Sequence, residues 1–221
     1  VVLSATAGRY TQLPVSRLLA QENKLKSESC IQYNLGAQYE GDGRFYKAEL
    51  YYKKYDRLAL VEKGTVDAAE VLTSGGYGYS KGFDLFFNDR VLLKNLEYQL
   101  SYTYNIAKRK FQEYTELTTP QYATQHNASL VLKYSIPRIG TIVGLTNRFS
   151  SGRPYHNPDL PGLMNDHVKP YNSLDLGLTF LPSKKVIIHA SATNILCRKN
   201  EFGRVNNKAI LASNDHFFYI G

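Results

Sequence analysis

Residues 95–107, NLEYQLSYTYNIA, alternate by twos. Leu96, Tyr98, Leu100, Tyr102 and Tyr104 fall on one side, and Glu97, Gln99, Ser101, Thr103 and Asn105 on the other. A period of two specifies a β-strand with one apolar and one polar face. Two environments accept such a strand. In a soluble sheet the apolar face packs on a core; in a membrane barrel it meets lipid and the polar face lines a wet lumen. The stretch is as long as the roughly 9–11 residues with which a tilted strand crosses hydrocarbon. Three tyrosines on the apolar side suit the headgroup region, where an aromatic ring with a polar tip is favoured. The rest of the chain has to choose between the two environments.

Nine further segments read as strands: 1–7, 27–39, 45–55, 76–87, 126–136, 139–149, 171–181, 186–195 and 216–221. Short reversals join some of them, at Gly41-Asp42-Gly43-Arg44, Pro137-Arg138 and Leu181-Pro182-Ser183-Lys184, with 88–94 somewhat longer. Gly, Asp, Asn and Pro supply the turn chemistry. Between these lie five connections of 18–21 residues: 8–26, 56–75, 108–125, 150–170 and 196–215. Compact soluble domains rarely carry even one structureless loop of that length. Here long and short connections alternate strictly. In an up-and-down meander that puts every long loop at one end and every short turn at the other, the pattern of outer-membrane barrels with long extracellular loops and short periplasmic turns. A soluble sandwich or lipocalin-like barrel gives no reason for the alternation. The expected fold is all-β, an antiparallel up-and-down transmembrane β-barrel segment of about ten strands. Its first strand runs outward and its tenth inward, so both ends are periplasmic.

Composition is compatible with this. Mean hydropathy is −0.36 and no apolar run approaches 18 residues, so no transmembrane helix is expected. Alternation hides a lipid face in the average. Tyr (18) and Phe (10) can form an aromatic girdle without Trp. The net charge of +8 raises nucleic-acid binding, but the cations are scattered (Lys53-Lys54, Lys108-Arg109-Lys110, Lys184-Lys185) and form no stripe. A basic surface against outer-membrane lipid and lipopolysaccharide fits better, and no nucleic-acid partner is expected. Cys30 and Cys197 have neither metal spacing nor the makings of a disulfide scaffold, and no functional role is expected of them. No cofactor or metal site is expected. Val1 opens directly into a strand with no signal region, so the chain reads as a fragment or cleaved product, with a few residues missing after Gly221.

With the strands placed, the local motifs resemble the C-terminal barrel portion of TonB-dependent outer-membrane receptors, particularly the Bacteroidetes type. Gly8-Arg9-Tyr10-Thr11-Gln12-Leu13-Pro14 is similar to the family's G-x-x-x-Q-x-P segment, and LKSESCIQYNLG (25–36) to its Glu-Ser start of a strand. Residues 49–58, ELYYKKYDRL, resemble a strand running into a long loop. Gly78-Tyr79-Ser80-Lys81-Gly82-Phe83-Asp84-Leu85 looks like the G-x-x-x-G-Φ-E-L signature, with Asp84 where Glu is commoner. Ser101-Tyr102-Thr103-Tyr104 matches an S-Y-T-Y strand; Tyr171–Leu176 and Thr193-Asn194-Ile195-Leu196 match the strands near the end. The resemblance spans nearly the whole chain. It implies that residues 1–221 are the last ten strands of a 22-strand barrel whose plug and earlier strands are absent, working in energised import of a scarce nutrient such as an iron chelate, vitamin, glycan or peptide. The implied partners are the missing N-terminal part, TonB-ExbB-ExbD acting through the plug, a surface lipoprotein over the loops in some relatives, and the nutrient itself. The implied location is the bacterial outer membrane.

The ligand-facing candidates are the loop residues Tyr10, Arg153, Tyr155, His156, His167, Lys169, Arg198, Lys199 and Asn200. Arg and Lys suit an anionic ligand and Tyr a sugar or ring. Glu97, Gln99, Asn127, Lys133 and Asp175 are expected on the lumen side, pairing with one another or holding the plug. Catalytic residues are not expected. His156 with Asp159, Asp166 with His167 and Asp215 with His216 invite an omptin-like protease, a self-contained ten-stranded barrel. A passive porin is a third reading. Both of these require ten strands that close by themselves.

Overall fold

The computed structural model describes residues 1–63, 70–205, 208–212 and 216–221. In chain order the strands are β1 (Val2–Gln12), β2 (Glu28–Gly41), β3 (Arg44–Lys63), β4 (Glu70–Leu93), β5 (Leu96–Lys110), β6 (His126–Ile136) and β7 (Thr141–Ser150). There follow β8 (Pro154–Tyr155), β9 (Asp166–His167), β10 (Tyr171–Ser183), β11 (Val186–Thr193), β12 (Glu201–Val205), β13 (Lys208–Leu211) and β14 (Phe217–Ile220). Ten of them form one antiparallel sheet in the order β1-β2-β3-β4-β5-β6-β7-β10-β11-β14. The remaining four are two small hairpins, β8–β9 and β12–β13, inside long connections. Among the described residues helix is confined to Ser16–Gln21 and a 3-10 turn at Pro137–Ile139. No helix of the described residues is long and apolar enough to cross a membrane, which says nothing of a β-barrel.

The hairpin turns explain why the sheet is a meander. Asp42 and Gly43 take positive φ (52° and 74°) between the paired Gly41 and Arg44, as a two-residue hairpin loop requires. Lys94-Asn95 is the two-residue loop between Leu93 and Leu96, with Asn95 at φ 63°. The segment 88–94, read from sequence as a turn, is therefore mostly strand, with a register shift between Asp89 and Leu93. Buried Asp89 holds that shift: its carboxylate accepts the Val91 and Leu92 N–H groups (both 2.8 Å), the Tyr46 hydroxyl and the Arg44 guanidinium (3.2 Å).

Several long connections are also more ordered than alternation suggests. β3 continues to Lys63 and β4 begins at Glu70, so much of 56–75 is a projecting hairpin. Arg57 at φ 60° and register shifts on both sides of Leu58 invert the inward-outward parity there, which is why the period-two signal ends at Tyr55. Leu58, Ala59 and Leu60 are buried where the β5–β6 connection folds onto them, with Gln112 bonding to Ala59 (2.6 Å) and Val61 (2.8 Å). β1 likewise runs on to Gln12 in unbroken register with β2.

Neither sheet face is covered by a second layer. The apolar face leaves Leu35 and Leu50 58% exposed, with Tyr33, Leu176, Leu178 and Ile188 exposed beside them. Among the described residues the buried apolar side chains are Pro14, Leu18, Leu58, Ala59, Leu60, Ala107, Pro154, Tyr155 and Val168, all at the end that carries the long connections. The total accessible surface is 14587 Å², against about 10,200 Å² for a compact monomer of this mass. An apolar face this large and continuous needs an apolar surrounding rather than water. The sheet is open: β1 and β14 are its two edges and do not pair with each other. The self-closing ten-stranded barrel on which the protease and porin readings depend is not formed.

Candidate ligand-binding wall

Strand register sorts the side chains of the polar face. Glu97 stands opposite Lys133, Thr103 opposite Asn127, and Thr146 opposite Asp175. Glu97, Gln99, Asn127, Lys133 and Asp175 thus share one face. Most of them meet polar partners: Glu97 binds Arg90 (2.8 Å) and Lys133 (3.9 Å), Asn127 accepts the Thr124 and Ser150 hydroxyls (2.9 and 2.8 Å), and Asp175 binds Arg148 (2.7 Å).

Two glycines shape the wall near the loop end. Tyr55, Gly78 and Arg109 are in register across β3, β4 and β5, and so are Tyr51, Gly82 and Asn105. A Cβ on Gly78 would lie 2.8 Å from Arg109 Cγ, and one on Gly82 2.8 Å from the Tyr51 hydroxyl. With no side chain between them, residues two strands apart meet. The Arg109 guanidinium lies 4.3 Å from the Tyr55 ring centroid, and the Tyr51 hydroxyl donates to Asn105 Oδ1 at 3.0 Å. Ser80 donates to the same oxygen at 2.8 Å.

Two adjoining clefts open over these groups. One, of about 310 Å³, is lined by Tyr10, Cys30, Tyr55, Leu58, Arg109 and Phe111 among others. The other, of about 490 Å³, includes Asn34, Tyr51, Lys53, Arg109, Tyr122 and Asn127. A smaller cleft of about 210 Å³ continues the wall past Asn127 to Arg153, Lys169, Tyr171 and Phe202. Cys30 and Cys197 are free thiols. Among the described residues no group of three or more His, Cys, Asp and Glu is placed to hold a metal ion.

The loop candidates divide between these places. Tyr10 lines the first cleft and Arg153 and Lys169 the smallest. Tyr155 is buried and gives its hydroxyl to Asp166 (2.5 Å); this donation, with the His167 N–H and the Asn157 amide, holds the Asp166 carboxyl below its ordinary pKa and pushes Tyr155 up. Asn200 is buried and exchanges both amide bonds with the Asn172 backbone. These two residues hold loops together. Arg198 donates to the Pro170 carbonyl (2.7 Å), while His156, Lys199 and, in β9, His167 are exposed. Asp166 is spent on Tyr155 and Asn157, and Asp215 lies outside the described residues. Tyr51, Lys53, Tyr55, Tyr122 and Arg109 were not singled out by sequence reasoning. The available signal was tyrosine at 51 and 55 on the polar side of an alternating strand.

A sheet of this order, apolar outside and polar within, with all long connections at one end, is an arc of an outer-membrane type β-barrel. The family model described as TonB dependent receptor-like, beta-barrel, matches residues 2–195, and the chain belongs to that family. Among solved structures the chain is similar to the outer membrane transporter YddB from Escherichia coli (12% identity, TM-score 0.70), covering 99% of this chain and 38% of that one. It is also similar to the ferric-catecholate import receptor Fiu from E. coli K12 (12%, TM-score 0.78, 99% and 32%). The siderophore receptor PiuA from Acinetobacter baumannii is a third (14%, TM-score 0.75, 98% and 34%). The chain spans about a third of the length of these proteins. No curated protein matches the sequence.

Proposed function

We propose that this chain forms wall and loops of an outer-membrane active transporter that takes up a scarce nutrient. The observation that carries the reading is the polar wall itself. It crosses the sheet, interrupted by the Phe45–Phe86 ring pair near the short turns, and ends, beside the long loops, in clefts lined by tyrosine, arginine and lysine. Open edges support a larger assembly, because unpaired backbone N–H and C=O groups are not tolerated in hydrocarbon. On this reading residues 1–221 are the C-terminal part of one barrel domain; further strands pair with the edges and complete a 22-strand barrel around an N-terminal plug. Long loops face outward, where lipopolysaccharide, the nutrient and, in some relatives, a surface lipoprotein meet them. Short turns and both ends face the periplasm, from which TonB-ExbB-ExbD acts through the plug. Tyr10, Arg153 and Lys169 contact the nutrient; Glu97, Gln99, Asn127, Lys133 and Asp175 hold the lumen wall and the plug. No chemistry on the substrate is required, so the protein is not an enzyme on this reading.

Growth of the host on limiting iron chelates, cobalamin, oligosaccharides or peptides tests the proposal. Deleting the gene and deleting TonB should abolish use of the same nutrient. A nutrient defect that is independent of TonB would indicate a passive pore, and no defect in any would refute import.

A further inference from the structure

Arg109 is half-buried and stacked between rings, yet its side chain makes no hydrogen bond or ion pair among the described residues, and its Nε is a buried donor without an acceptor. Lys53, two residues from Tyr55 on the same face, is half-buried over the Tyr51 ring and also forms no ion pair. The nearby carboxylates are engaged elsewhere. Glu28 binds Gln12 and the Ala59 N–H, Glu49 binds Lys47 (2.8 Å), and Asp84 accepts the Thr103 hydroxyl. A buried guanidinium Nε left without an acceptor is costly unless something else supplies one, and Lys53 sets a second uncompensated charge on the same face. We propose that the notch between Lys53 and Arg109 binds an anionic group, a carboxylate or phosphate, of the nutrient that the barrel admits.

Stacking on Tyr55 fixes the guanidinium plane and leaves its N–H edge free to fork onto two oxygens of one anion, while Lys53 adds a point charge from the side. Tyr10 and Phe111 give the anion's organic body apolar surface. Position favours the nutrient over the plug: Arg109 is the last residue but one of the fifteen in β5, beyond the roughly 9–11 that cross hydrocarbon. The notch is therefore at the outer rim, below the long loops. This assignment rests on the transporter reading, but its test needs no energised partner.

The test uses the intact full-length receptor purified in detergent. Arg109 is labelled with phenylglyoxal and read by peptide mass spectrometry, and citrate and inorganic phosphate are titrated calorimetrically with trehalose as the neutral control. Citrate or phosphate should slow Arg109 labelling, trehalose should not, and R109Q or K53Q should weaken anion binding by about tenfold or more. R109K should recover part of it, while R90Q, at the short-turn end, should bind as wild type. Heat-modifiable gel migration reports folding of each variant. The proposal falls if folded R109Q binds anions as wild type, or if no anion protects Arg109. It also falls if Arg109 of the intact receptor resists labelling with no anion added, since a group of the upstream part would then occupy the notch. Loss of TonB-dependent growth is scored separately, so anion binding without energised uptake would refute the transporter and not the notch.

Discussion

Gly78 and Gly82 decide more about the wall than any charged residue in it, because each lets two side chains meet across an intervening strand. Gly78→Val would press its Cβ on the Lys108 carbonyl as well as on Arg109, so that β4 and β5 shift and the guanidinium lifts off Tyr55, at a cost toward the upper end of about 1–3 kcal/mol from overpacking. Urea unfolding in detergent and phenylglyoxal labelling should show a stability loss and an altered labelling rate at Arg109. Unchanged labelling would mean the stack does not depend on the bare glycine. Asp89 is the counterpart at the short-turn end. Asp89→Ala strands two backbone donors and the Arg44 charge, which should cost about 2–4 kcal/mol in the same unfolding measurement. A loss below about 0.5 kcal/mol, the scale of an ordinary surface substitution, would show that water replaces it. The glycines were visible in sequence as the motif at 78–82; their pairing with Arg109 and Asn105 was not, because register between strands is a tertiary property.

Most strands of the sheet were legible from alternation, since a half-buried face leaves a period of two, while 139–149 was weaker and 216–221 does not alternate. Strand ends were not legible. Arg57 and the Asp89–Leu93 shift break parity without ending the strand, so β3 and β4 run well past the positions where alternation stops. The loop hairpins β8–β9 and β12–β13 carry no periodic signal at all. Ring and cation contacts unite them: Arg153 lies 4.8 Å over Phe202, and Phe202 stacks on Tyr171 at 6.0 Å. Asp166 locks the first hairpin. Its carboxyl is held low by the Tyr155 hydroxyl first, then by the His167 N–H and the Asn157 amide. A depressed folded pKa gives stability that is complete above the ordinary value of 3.8 and is lost as pH falls through the folded value. Hydrogen exchange over residues 154–168, corrected for intrinsic rate, should stay flat from neutral pH to about 4.5 and rise at lower pH. Asp166→Asn should remove the pH step, and a rise already near pH 6 would assign the lock to a histidine.

As a whole the molecule is an arc with one face for lipid and one for water, and substitutions should report which is which. Leu50→Arg on the apolar face should cost about 2–4 kcal/mol when the intact barrel unfolds from lipid vesicles, while a charge on the lumen side at Gln99 should cost far less. Equal costs would mean the faces are misassigned. The ten strands and their meander order were readable because alternating loop lengths admit few topologies. The open edges followed only from the family resemblance, since alternation alone does not show whether the first strand meets the last. That openness is the centre of the account. The most direct test is the intact mass of the mature polypeptide extracted from outer membranes. A mass of about three times the 25.0 kDa of this chain is the predicted result, in keeping with its share of the solved relatives. A mature polypeptide close to 25.0 kDa would contradict it, because ten strands would then have to close on themselves.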